Sequence, residues 1–104
     1  MKVWLDDRRA APKGWVRVRT PEEAIELLRA GGVEELSLDH DLGLGVGARE
    51  RTGYDVLLWL EAEVAAGQAR PPAVMRVHSG NVGAVTRMEQ AIASIRRLAG
   101  EEPS

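Results

Sequence analysis

The chain has 104 residues, 44% of them hydrophobic and 29% charged, and 16 acidic against 14 basic side chains leave a net charge of −2. This is the profile of one globular domain spanning 1–104, with 101–104 a flexible tail; the apolar runs are far too short for a membrane span, and a cytoplasmic location is the default expectation. With no cysteine, disulfides, zinc ribbons and thiol nucleophiles are excluded, so any chemistry must use oxygen groups and imidazole.

The apolar run Lys2-Val3-Trp4-Leu5 reads as a strand that ends in Asp6-Asp7. Residues 6–14 follow as a loop, short for a parallel crossover, and Trp15 to Arg19 alternates as an edge strand whose direction is open. Thr20 is a cap, Pro21 suits the first helical position and Glu23 completes a capping box, opening a helix that buries Ala24, Ile25, Leu27 and Leu28 and ends at Gly31-Gly32.

Glu35-Leu36-Ser37-Leu38 is the next strand, closed by Asp39-His40-Asp41. Gly43 to Gly47, with Arg49 and Arg51, reads as a glycine-rich flap beside the strand ends. Thr52 and Asp55 have the form of a second capping box, for a helix running to about Ala66, and Pro71-Pro72 closes the connection to the next strand. The run Val74 to Val77 is then followed by His78-Ser79-Gly80-Asn81, and Asn81 is placed to cap a long helix with Val82, Val85, Met88, Ile92, Ile95 and Ala99 along one side. Alternating strands and helices predict an α/β fold with a parallel sheet and a helix layer on each face.

In such folds the carboxyl ends of the strands form the ligand site, and here three of those ends are polar. The carboxylates of Asp6, Asp7, Asp39 and Asp41 suit a hard divalent cation, Mg2+ or Mn2+, since unpaired acids brought together repel unless something positive lies among them. An Asp–Arg network with Arg8 and Arg9 is the structural alternative. Both histidines of the chain, His40 and His78, lie in these segments and are candidates to take and return a proton in phosphodiester hydrolysis, with Asp39 beside them. Ser79, Asn81 and the amides opening the last helix form a candidate phosphate cradle, although Asn81 is equally readable as a cap alone.

Taken together, Lys2 to Arg9, Gly14-Trp15, Thr20 with Glu23-Ala24, Ser37 to Gly43, Thr52 to Asp55 and His78 to Asn81 resemble the cyclic-phosphate-processing receiver-like domain, from Lys2 to about Ile92. The resemblance implies a reduced response-regulator receiver, a three-layer sandwich on a small, mainly parallel four-stranded sheet of flavodoxin-like order 2-1-3-4, lacking the fifth strand and its lysine. It also implies a role in RNA repair, as a metal-assisted phosphoesterase on cyclic phosphate ends of RNA or of nucleotides. Asp6, Asp7, Asp39 and Asp41 would then hold the metal, His40 and His78 the protons, and Arg8, Ser79 and Asn81 the phosphate. A non-catalytic receiver-like signalling or interaction module that binds metal and phosphate is the alternative. No membrane partner is expected, and the oligomeric state is open.

Overall fold

The computed structural model describes residues 1–44 and 51–100. Four strands, β1 (Lys2–Leu5), β2 (Trp15–Val18), β3 (Glu35–Leu38) and β6 (Val74–Val77), form one sheet in the order β2-β1-β3-β6. Every neighbouring pair is parallel, which settles the direction of β2. A second, two-stranded antiparallel ribbon joins β4 (Asp41–Leu44) to β5 (Arg51–Thr52), with a register shift between its two paired positions. That ribbon stands where the sequence reading has only a glycine-rich flap; residues 45–50 of the flap, and the tail 101–104, lie outside the described residues.

Alternation along the strands sorts the side chains onto two faces. One row pairs Val3 with Val16 and Leu36 and continues to Met75; the next pairs Leu5 with Val18 and Leu38 and continues to Val77. Against this apolar face pack Ala24 of α1 (Pro21–Ala30), Val56, Leu57, Leu60 and Val64 of α2 (Gly53–Ala65), and Met88, Ala91 and Ile95 of α3 (Val82–Leu98). Thus all three helices share one side of the sheet, in place of the expected helix layer on each side. The reason is local: the crossover that would cover the second face connects β1 to β2, and it is a helix-free stretch of residues 6–14. The second face carries Trp4, Arg17, Ser37 and Arg76 in one row.

Helix ends follow the residues expected of them. Thr20 accepts from the Glu23 amide, Asn81 Oδ1 accepts from the Ala84 amide, and Gly31 takes a positive φ of 86° after the last turn of α1. In α3 the buried stripe runs through Ala84, Met88, Ala91 and Ile95, whereas Val82 is exposed. Of the expected stripe, Met88 and Ile95 are buried, Ile92 packs half-buried against the core and Val85 is half-buried, whereas Val82 and Ala99 are exposed. At α2, the Thr52 amide donates to Asp55 Oδ2 (2.8 Å) and Thr52 Oγ1 accepts from the Tyr54 amide (3.2 Å), completing a capping box. Thr52 is only 8% exposed, so Thr52→Ala is expected to lower stability by about 1 kcal/mol in urea denaturation.

Candidate metal centre

Parallel pairing continues one residue beyond the sheet. The Asp6 amide donates to Val18 O (3.0 Å), that of Asp39 to Leu5 O (2.9 Å) and that of His78 to Leu38 O (2.9 Å). The ladder therefore brings Asp6, Asp39 and His78 into one row, on the side of the sheet that carries Trp4 and Ser37. One ligand oxygen each from Asp6, Asp7 and Asp39 lies within 4.8 Å of the others.

Asp6 is the most constrained of the three. It is 1% exposed. Its Oδ1 accepts from the amides of Arg8 (2.8 Å) and Arg9 (2.9 Å), its Oδ2 meets His78 Nε2 at 3.2 Å, and its carbonyl accepts from Arg17 Nε at 3.2 Å. Burial works to raise its pKa, but those two amides and the imidazole outweigh it and hold the carboxyl below the usual 3.8. Asp39 shows the opposite balance. Burial and then the charges of Asp6, Asp41 and Asp7 raise it above 3.8, against the His40 amide that bonds its Oδ1 at 2.9 Å. Asp7 keeps a buried Oδ1 with no hydrogen-bond partner among the described residues.

No guanidinium pairs with the carboxylates of this cluster among the described residues; Arg17 reaches only the Asp6 carbonyl, and Arg8 and Arg9, both exposed, serve Asp6 through their backbone amides. A buried, unpartnered carboxylate oxygen among acids, with oxygen donors only, fits a hard divalent cation better than an Asp–Arg network does. Beside the cluster opens a cleft of about 430 Å³ lined by Asp6, Arg8, Arg9, Asp39, Asp41, Ser79, Gly80 and Asn81. Asp41 thus borders the site but stands outside the carboxylate triplet. Its Oδ1 is bonded to His40 Nδ1 at 2.8 Å, and it is 60% exposed.

Of the residues singled out in sequence, Arg8, Ser79 and Asn81 are brought to the cleft, while neither histidine lines it. Ser79 Oγ accepts from the Asn81 amide at 3.1 Å, and Asn81 caps α3 at the same time as it lines the cleft. His78 is held on every side: Ser37 Oγ lies 2.6 Å from Nδ1, Asp6 Oδ2 lies at Nε2, and the ring stacks on Trp4 at 3.7 Å with a 7° interplanar angle. Burial lowers its pKa from 6.5, and the charge of Arg9 adds to this, against the attraction of Asp6. Arg51 pairs with Glu22 of α1, away from any phosphate role, and Arg49 lies outside the described residues.

Sequence reasoning gave Ser37 and Trp4 no role in the site and took Arg9 only as a partner in an Asp–Arg network, whereas Arg9 lines the cleft. For Ser37 a signal existed: it is a hydroxyl inside the apolar run Leu36 to Leu38, on the alternate face of the strand.

A family model described as the cyclic-phosphate processing receiver domain matches residues 1–94. No curated protein and no solved structure matches the chain. Among the described residues no helix is long and apolar enough to cross a membrane.

Proposed function

Since the chain belongs to the cyclic-phosphate processing receiver domain family, we propose that it is a metal-assisted phosphoesterase that opens the cyclic phosphate ends of RNA or of nucleotides, in RNA repair. The observation that carries this reading is the triplet Asp6, Asp7 and Asp39, whose carboxylates make no ion pair with a guanidinium among the described residues, with Asp6 and Asp39 on the wall of a cleft that also presents Arg8, Arg9, Ser79 and Asn81. Mg2+ or Mn2+ bound there would offset the charge of the phosphodiester and of the transition state.

The chain's own groups supply the rest. Arg8 and Arg9 hold the non-bridging phosphate oxygens, together with the Ser79 hydroxyl and the Asn81 side chain that line the same cleft. Asp41, oriented by His40, takes a proton from the attacking water as its oxygen bonds to phosphorus. The bond from phosphorus to one ribose oxygen breaks, and the same pair returns the proton to that oxygen. A phosphomonoester results. His78 has both ring nitrogens engaged, so proton transfer is assigned to the His40–Asp41 pair.

The test is incubation of the purified protein with a 2′,3′-cyclic nucleotide and with RNA bearing a cyclic phosphate end, with and without Mg2+ or Mn2+. Turnover that requires the ion, and that falls by about 10²-fold or more in Asp41→Asn and in His40→Ala, is expected. Beryllofluoride with Mg2+ raising Tm while no ester is hydrolysed would instead establish the non-catalytic receiver-like module.

A further inference from the structure

An aspartate acting as a metal ligand must offer an oxygen in a fixed direction, and the donors around the ligand set that direction. Around Asp6 the donors can be counted. A carboxylate has about four lone-pair positions. The Arg8 and Arg9 amides take those of Oδ1, and His78 Nε2 takes one of Oδ2. One position is left, on Oδ2, and it belongs to the oxygen whose orientation depends on His78.

The imidazole is itself built into place. Trp4 lies flat against it, Ser37 bonds Nδ1, and both belong to the second sheet face directly behind the strand ends. Trp4 is in turn met edge-on by Trp15, with ring centroids 6.0 Å apart. Ser37 is 4% exposed, and the His78 side chain 13%. Donor and acceptor chemistry places a hydrogen on Nε2, since the Asp6 carboxylate only accepts; in the neutral ring Nδ1 is then the acceptor for the Ser37 hydroxyl.

We propose that His78 is the positioning residue of the acidic cluster, aiming Asp6 Oδ2 at the cation through its Nε2–H, with Ser37 and Trp4 fixing the ring. The inference rests on Asp6, Asp7 and Asp39 being a cation site. It gives His78 a task distinct from proton transfer to substrate, and it gives two residues of the sheet face a reason to be polar and aromatic.

Mn2+ binding followed by the loss of free-ion signal in electron paramagnetic resonance separates the two levels. His78→Ala is expected to weaken Mn2+ binding by about tenfold or more, within the range known for groups that orient metal ligands. His78→Gln, whose Nε2 still donates, should restore most of that affinity, and Ser37→Ala should weaken binding by a smaller factor. Nitrogen-15 correlation spectra of the wild-type protein without ion should show His78 protonated on Nε2 and bare on Nδ1, a readout that needs no variant to fold. Wild-type Mn2+ affinity retained in His78→Ala, or a hydrogen found on Nδ1 alone, overturns the inference. Absence of Mn2+ binding by the wild-type protein overturns the cation site itself, and the inference with it.

Discussion

Mg2+ at one hundred times its dissociation constant is expected to add about 2.7 kcal/mol to folding stability, a rise in Tm on the order of 10 °C for a chain of this size. Asp39→Asn should abolish that response and yet stabilise the ion-free protein, by about 1 kcal/mol. The two effects have one cause. Burial and the charges of Asp6, Asp41 and Asp7 all disfavour the ionised Asp39 carboxylate, and asparagine removes the charge while its Oδ1 still accepts from the His40 amide. Between pH 3.8 and the raised value, native Asp39 retains a proton that the unfolded chain has lost. Stability from this group therefore falls as pH rises through that window, and above it the penalty is complete. Asp6 has the opposite sign: its contribution is complete above 3.8 and is lost as pH falls through its lowered folded value. Asp6→Asn should accordingly destabilise, since it turns an amide towards the Nε2–H of His78. Thermal scans from about pH 2.5 to pH 7, with and without Mg2+, check all of this, and the ion should help most at pH 7. An ion-free Asp39→Asn protein less stable than the wild type would refute the account of the site as a repulsive cluster that awaits a cation.

The contrast between Asp6 and Asp39 also marks how far the sequence could be read. That three strands end in polar residues was legible, because a short apolar run followed by Asp, His or Ser is a local pattern. The order of the sheet was legible through the whole set of motifs, and the order β2-β1-β3-β6 among the described residues bears it out. Pairing was not legible, because it is not local. His78 reaches Asp6 across 72 positions and Ser37 across 41, and nothing in either segment announces that contact. The β4–β5 ribbon escaped notice for another reason: β5 has two residues, too few for any periodicity to register. The layering was misjudged although residues 6–14 were read as a helix-free loop, because alternation along the chain does not say which face of the sheet each connection covers. Only the length of the stretch from 6 to 14 hinted at the bare second face.

Gly53→Ala is expected to lower stability by about 3 kcal/mol, more than 10 °C in Tm, and to weaken divalent-ion binding as well. Helix propensity argues the other way, since alanine in a helix is ordinarily worth up to about 1 kcal/mol over glycine. Contact decides it. A Cβ at Gly53 would overlap the backbone oxygen of Asp39 and come within 3.2 Å of Met88 Cε, while the Gly53 amide donates to His40 O at 3.2 Å. The first turn of α2 thus rests directly on the end of β3, and both sides of the contact are backbone. A methyl group there must push the helix away from Asp39 or break the bond to His40, and either shift moves a carboxylate of the triplet. Gly83, in the first turn of α3, is the control, because its added Cβ would meet only Arg87 Nη1 at 3.6 Å and Asn81 Oδ1 at 3.7 Å. Gly83→Ala should be neutral or stabilising, by about 0.5 kcal/mol. Urea denaturation of the two variants, followed by Mn2+ titration of the folded protein, compares one substitution in two similar helix starts. A Gly53→Ala protein as stable as Gly83→Ala would show that α2 does not hold Asp39 in place.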